Sequence, residues 1–151
     1  LSMLRYFATI REGHTLEPST VLNLAFGAEQ VTVQPDDVLV RSDGRRTLRR
    51  VRTGHHRSGE SKDVGAAAFV LAAQQAFPDA IVELVHLSDQ TVREVSLSPR
   101  ELQARRDKLA GFLRDIRAGH FPAEPSSRTC PGCPAFFICG PLPEGPLEKI
   151  W

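Results

Sequence analysis

The chain has 151 residues, of which 41% are apolar and 25% are charged, and its formal net charge is +1. This composition is ordinary for one globular domain and argues against disorder, and the nearly balanced charge points to no particular partner. The sequence has no apolar run near the roughly 18 residues of a membrane span, and no signal-peptide pattern at its start. We therefore expect a cytoplasmic protein that does not bind a membrane.

Short strands are predicted in the first half of the chain. We treat residues 1–20 as an N-terminal segment and give no structural weight to residues 1–3, which resemble an expression remnant. The apolar and β-branched runs that follow predict strands at residues 21–26, 31–33, 38–41 and 47–52. The Asp43-Gly44 step between the last two runs is a strong hairpin signal, so these strands should pair in antiparallel fashion. The polar residues 54–62 are predicted to form a loop.

Helices alternate with strands in the second half of the predicted core. Asp63 is placed to cap a helix over residues 64–77, whose apolar side chains on most sides predict burial. Residues 80–87 and 91–97 are predicted strands that complete a mixed sheet. A capping box at 98–101 begins an amphipathic helix that Gly119 ends. This order of elements predicts an α/β fold in which helices flank a mixed sheet.

Three cysteines lie in a proline-rich C-terminal tail, residues 120–151. Cys130, Cys133 and Cys139 have the spacing Cys-x2-Cys-x5-Cys. Thiolates at this spacing suit zinc or an iron–sulfur cluster, and both kinds of site need four ligands. His120 is the candidate for the fourth ligand. The alternative is that the three cysteines are reduced and packed among the neighbouring apolar residues.

The cysteine segment and the residues before it resemble a known family. The runs 116–122 and 128–139 are similar to the C-terminal end of RecB-like nuclease domains in the PD-(D/E)XK superfamily. Such domains occur at the C-terminus of UvrD/Rep-type DNA helicases and in AddB-type helicase-nucleases. The resemblance extends back to about Val21, so residues 21–119 are interpreted as the nuclease-fold core.

This resemblance implies a fold, partners and a cofactor. The fold would be restriction-endonuclease-like, and the chain would be a monomeric domain that acts on DNA in repair or recombination, beside helicase domains of the same bacterial protein. In the family, three closing cysteines and a fourth one upstream of the core hold a four-iron cluster. This sequence has only three cysteines. We therefore expect no cluster in the isolated chain.

The resemblance also assigns the positions of a nuclease site. Asp36 matches the first metal-binding carboxylate of the family. Arg50 stands at the position of the second acid, and Arg52 stands at the position of the catalytic lysine. Magnesium needs converging carboxylate oxygens, and an arginine at ligand distance repels it. We therefore expect a degenerate site that does not cleave DNA.

A second set of residues offers the alternative of an active, magnesium-dependent nuclease. In this alternative Asp36 acts together with Asp37, Glu60 and Lys62. We disfavour it because residues 54–62 lack the β-branched residues of a strand and would not hold Glu60 rigidly beside Asp36.

Arginine is concentrated in the predicted hairpin, with seven arginines between residues 41 and 57. Guanidinium groups bind phosphates well, and the candidate contacts to the DNA backbone are Arg45, Arg46, Arg50 and Arg52. On a strand, Arg50 and Arg52 share one face. The alternative is that these side chains form a solvated surface neutralised by nearby acids. In that case the domain would be a structural module for protein interaction.

Overall fold

The computed structural model describes residues 2–121, 125–127, 130 and 133. The chain divides into two compact units, residues 1–113 and residues 114–151. Within the described ranges, no helix is both long enough and apolar enough to cross a membrane.

The described secondary structure consists of seven strands, three α-helices and one 3-10 turn. The strands are β1 (Thr15–Glu17), β2 (Leu22–Phe26), β3 (Glu29–Val33), β4 (Asp37–Val40), β5 (Arg46–Arg52), β6 (Ile81–His86) and β7 (Thr91–Glu94). The helices are α1 (Met3–Thr9), α2 (Val64–Ala76) and α3 (Pro99–Arg117), and the 3-10 turn is Glu60–Lys62.

Five of the strands form one mixed sheet in the order β1-β4-β5-β6-β7. Strands β4 and β5 pair in antiparallel fashion as the predicted hairpin, with Val38 opposite Leu48. Strands β5 and β6 are parallel and are connected through α2. A separate two-stranded sheet is formed by β2 and β3. The mixed sheet flanked by helices confirms the predicted α/β fold and is consistent with a restriction-endonuclease-like architecture.

The hydrophobic core lies between one face of the large sheet, α2 and the β2–β3 hairpin. Phe69 of α2 is fully buried, and it belongs to one apolar cluster with Leu48 of β5, Leu24 of β2 and Leu84 of β6. The predicted burial of α2 is confirmed, since seven of its thirteen residues are buried. Leu48 faces this core, and alternate residues of a strand lie on the same face. Arg50 and Arg52 therefore lie on this face as well, near the end of β5.

Helix α3 begins as the capping box predicts. The hydroxyl of Ser98 accepts a hydrogen bond from the backbone N–H of Glu101 at 3.3 Å, and the Glu101 carboxylate accepts one from the Ser98 N–H at 3.0 Å. Asp63 is the N-cap residue of α2, but its side chain makes no capping hydrogen bond.

Three local predictions need correction. The pattern predicts no element before Val21, but α1 and β1 lie there, and Leu16 of β1 pairs with Leu39 of β4. Helix α1 has only seven residues and buries none of them, so it adds little to the core. The segment 54–62 is not entirely a loop, because it contains the 3-10 turn. The last strand is shorter than predicted, since β7 ends at Glu94.

Candidate functional site

Strand β5 distributes its arginines over both faces of the sheet. The guanidinium carbon of Arg50 lies 5.9 Å from the centre of the Phe69 ring, on the side of α2. Arg49 points the other way, where its Nε donates to Glu83 Oε2 at 2.7 Å and its Nη1 donates to the carbonyl of Ile10 at 2.7 Å. Arg49 is buried, so it anchors the segment after α1 to the sheet and is not available to a ligand.

Asp37 lies on the same face as Arg49 and is also buried. Its carboxylate accepts hydrogen bonds from the guanidinium of Arg11, one of them from Nε at 3.0 Å. The hydrogen bond to Asp37 raises the pKa of Arg11 above its ordinary value, although burial opposes this shift. Asp37 is therefore engaged in an internal ion pair on the side of the sheet opposite to Arg50.

Asp36 lies beside Arg50. The backbone N–H of Asp36 donates to the Arg49 carbonyl at 2.8 Å, and its Oδ2 accepts from the Val51 N–H at 2.7 Å. The same Oδ2 is 3.8 Å from Nε of Arg50, and both side chains are about half exposed. The backbone bonds fix this carboxylate within reach of a guanidinium.

Glu60 is buried between two basic residues. Only 2% of its side chain is exposed; its Oε1 is 2.8 Å from Nη1 of Arg52 and its Oε2 is 2.8 Å from Nε2 of His86, which is fully buried. The 3-10 turn places Glu60 against the ends of β5 and β6. The partners that hold it are Arg52 and His86.

The environment of Glu60 stabilises its ionised form. Burial alone would raise the pKa of Glu60, but the hydrogen bond with His86, the charge of Arg52 and a backbone hydrogen bond from Arg57 outweigh this effect. The pKa of Glu60 is therefore lower than its ordinary value of 4.5. The carboxylate belongs to a buried ion pair and is not poised to take up a proton.

The residues of the alternative nuclease set have different neighbours. Lys62 lies closest to Glu101, at 3.9 Å, and is largely exposed. Asp36 lies beside Arg50, Asp37 binds Arg11, and Glu60 binds Arg52. Among the described residues, no group of three or more His, Cys, Asp or Glu side chains is arranged to hold a metal ion.

The loop that precedes Glu60 is anchored to the turn between β6 and β7. Asp89 accepts a hydrogen bond from the backbone N–H of His56, and its other oxygen is 2.5 Å from Nδ1 of His55. Both hydrogen bonds lower the pKa of Asp89, and the bond from the His56 backbone has the larger effect. The ring of His56 meets the buried ring of His86 edge to face, with 5.3 Å between centroids. The loop is thus fixed at two points of the parallel half of the sheet.

An open cavity of about 540 Å³ lies between this loop and the end of β5. Its lining consists of Val51, Arg52, Thr53, Gly54, His55, Arg57 and Glu60. Three basic residues, Arg52, His55 and Arg57, therefore line one open space.

All four arginines proposed as phosphate contacts have acidic neighbours. In the hairpin, Nε of Arg45 is 2.7 Å from Asp43, and Nε of Arg46 is 2.8 Å from Glu17. The hydrogen bond from Arg46 lowers the pKa of Glu17. Arg50 and Arg52 have the acidic neighbours already described. The surface therefore carries less excess positive charge than the arginine count indicates.

Two of the three cysteines fall within the described residues. Cys130 Sγ accepts a hydrogen bond from the backbone N–H of Ser126 at 3.2 Å, and the Cys133 N–H donates to the carbonyl of Cys130 at 3.0 Å. His120, the candidate fourth ligand, is exposed, and its Nδ1 is 3.8 Å from Asp115. Cys139 lies outside the described residues, so the complete ligand set is not defined.

Sequence reasoning missed the part played by His86. An isolated histidine is more often a core or surface residue than a site residue, and the sequence offers no motif around His86. The available signal is positional, since His86 ends a strand and lies opposite Arg52 in the parallel register. A polar residue at the carboxyl end of a central strand is a candidate for a site in such a sheet.

Comparison with known proteins identifies one family. The family model described as PD-(D/E)XK nuclease superfamily matches residues 2–140. Searches of curated proteins and of solved structures give no match.

The buried Glu60 pair predicts a pH dependence of stability. The lowered pKa of Glu60 means that its stabilisation is complete above its ordinary value and is lost as the pH falls below about 4.5. We expect Glu60→Gln to lower the free energy of unfolding by about 1–3 kcal/mol at neutral pH, because His86 and Arg52 lose a charged partner. The difference in free energy of unfolding between the wild type and this variant should become smaller as the pH falls. Urea denaturation at several pH values measures this difference.

The control for this prediction is Glu94→Gln, since Glu94 is exposed on β7. This variant should unfold like the wild type at every pH. If the difference in free energy of unfolding between the wild type and Glu60→Gln does not change with pH, the assigned ion pair is contradicted.

Proposed function

The chain belongs to the PD-(D/E)XK nuclease superfamily, and we propose that it is a RecB-like member that no longer cleaves DNA. In this proposal it binds or positions DNA as a domain of a cytoplasmic UvrD/Rep-like helicase during repair or recombination. The chain has no Gly-x-x-x-x-Gly-Lys-Ser/Thr phosphate loop. ATP hydrolysis would therefore belong to other domains of such a helicase.

One observation carries the proposed loss of cleavage. Arg50 lies 3.8 Å from the carboxylate of Asp36, at the position where the family has a second acid. A divalent cation at Asp36 would lack a second carboxylate there and would be repelled by the guanidinium. The residues around Asp36 therefore do not fit a magnesium ion.

The other half of the family's site is also altered. Arg52 stands at the position of the catalytic lysine, and its Nη1 contacts the buried Glu60 at 2.8 Å. A guanidinium stays protonated at physiological pH, so it cannot take up or release a proton in a reaction as an amine can. Its remaining N–H groups can bind phosphate oxygens, which supports binding rather than chemistry.

The proposed DNA contact is electrostatic. Arg45, Arg46, Arg50 and Arg52 are each at least one-third exposed, so their outer N–H groups reach solvent. Their acidic neighbours reduce the net charge, so we infer weak binding without sequence preference. Such binding depends on the release of counterions from DNA and weakens steeply as salt is added.

The first prediction from this proposal concerns cleavage. The purified chain, supplied with magnesium or manganese, should leave single-stranded and double-stranded DNA intact, because Arg50 and Arg52 replace a metal ligand and the lysine. The measurement is a gel assay over time with Asp36→Asn as the matched variant. Cleavage by the wild type that disappears in Asp36→Asn would contradict the proposal.

A second prediction concerns DNA affinity. If about four phosphates are contacted, the slope of log K against log salt on duplex DNA should be roughly −3.6. Replacing Arg45, Arg46 and Arg50 by Ser, while Arg52 keeps its contact with Glu60, should reduce the slope to about −0.9. Fluorescence anisotropy at several salt concentrations measures both values.

The control for this titration is Arg93→Ser, which removes an exposed arginine from β7, away from the hairpin. It should keep the wild-type slope. A flat titration for all three proteins would remove the support for DNA binding and favour a protein-interaction module.

A third prediction concerns the cysteines. We propose that the isolated chain holds no stoichiometric iron–sulfur cluster, because three thiolates leave one position for a weaker ligand such as His120. The alternative that we keep open is a zinc ion bound by Cys130, Cys133, Cys139 and His120. Metal analysis after anaerobic purification measures both metals, and one iron cluster per chain would refute the prediction.

A further inference from the structure

The cavity at the end of β5 contains Arg52, one of the proposed DNA contacts, together with His55 and Arg57, which the hairpin contacts do not include. We propose that this cavity binds a terminal phosphate monoester of a DNA strand through Arg52, His55 and Arg57. The inference rests on the proposed function, since it names the DNA feature that the domain would recognise. The observation that supports it is that these three basic residues line one open cavity of about 540 Å³.

Arg52 is held in place before any ligand arrives. Its Nη1 contacts Glu60, which is itself fixed by the fully buried His86, and 43% of the Arg52 side chain is exposed. The ion pair keeps one side of the guanidinium near Glu60, and the planar group has further N–H donors for a ligand. A preorganised donor loses less entropy when it binds a phosphate oxygen.

His55 is oriented by the same principle. Its Nδ1 contacts Asp89, and 78% of its side chain is exposed. This contact leaves Nε2 as the ring nitrogen that can meet a ligand. Nε2 can accept a hydrogen bond from a protonated phosphate oxygen or, when the imidazole is charged, donate one to an ionised oxygen.

Within the described ranges, no ion pair offsets the charge of Arg57. Its side chain is exposed and forms no ion pair with another described residue, whereas Arg52 shares its charge with Glu60. The loop that carries Arg57 is fixed at both sides, because Asp89 binds His55 and His56 before it and Glu60 is buried after it. The excess charge of the cavity is therefore held at its rim by an ordered loop.

This chemistry favours a strand end over an internal phosphate. A phosphate monoester carries a charge between −1.5 and −2 near pH 7 and has three terminal oxygens, so it can engage three donors at once. An internal diester has a single charge and two such oxygens, and it continues into nucleotides on both sides. A chain end therefore offers more phosphate oxygens to the three basic residues of this open cavity than a continuous backbone does.

The test uses a DNA hairpin whose closed loop leaves one duplex end. The end is prepared with a 5′ phosphate, with a 3′ phosphate, or with hydroxyls only, and binding to the full chain is measured at one fixed salt concentration. We expect one phosphorylated form to bind at least about tenfold more tightly than the hydroxyl form, which is the effect of one charge-assisted hydrogen bond. The preferred form identifies the strand terminus, and inorganic phosphate should compete with it.

Variants assign this preference to the cavity. Arg57→Gln and His55→Gln should each reduce the preference for the phosphorylated end to within about twofold. Arg41→Gln is the matched control, because Arg41 is an exposed arginine that does not line the cavity, and it should keep the full preference. Thermal unfolding of each variant checks that the fold is retained.

Three outcomes would overturn the inference. Equal binding of phosphorylated and hydroxyl ends would overturn it and leave the proposed DNA binding intact. If Arg41→Gln and Arg57→Gln reduce the preference for the phosphorylated end by the same factor, that preference comes from the general positive charge of the surface and not from the cavity. Failure to bind any form of the hairpin would reject both the inference and the proposed function.

Discussion

The compensation of arginine charge along β5 is the constraint on which the rest of the site depends. Three of the four residues 49–52 are arginines, and each reaches a carboxylate from a different element. Arg49 pairs with Glu83 of the neighbouring strand, Arg50 with Asp36 before β4, and Arg52 with Glu60 of the 3-10 turn. A charge that is removed from water needs such a partner, because an unpaired one costs several kcal/mol. Three acids from other parts of the chain therefore lie next to β5.

The same pairs decide what chemistry the site can perform. A metal-dependent nuclease needs carboxylates whose charge is free to hold a cation. Here Asp36 faces a guanidinium, and Glu60 is buried between Arg52 and His86. The contacts that stabilise the end of β5 are thus the contacts that compete with a metal. Asp36 and Glu60 are the acids that would bind a metal, and both already contact arginines of β5. We therefore infer that the chain keeps the superfamily fold but does not cleave DNA.

Local signals predicted most of the fold and only part of the site. The Asp43-Gly44 turn, the apolar α2 and the capping box of α3 each follow from neighbouring residues, and the structure confirms all three. The proximity of Asp36 to Arg50 follows from the resemblance and from strand pairing. The burial of Glu60 could not be predicted in this way. A three-residue turn has no periodicity, and its position depends on Arg52 and on His86, which is 26 residues further along the chain.

Arginine keeps its positive charge at these positions over the physiological pH range. A lysine beside an acid can lose its proton when its surroundings become apolar, but a guanidinium stays charged. Arg50 therefore remains a cation next to Asp36 under all conditions in which a metal could bind. We therefore propose that the guanidinium of Arg50 disfavours a divalent cation at Asp36, and that its exposed N–H groups contact phosphate instead.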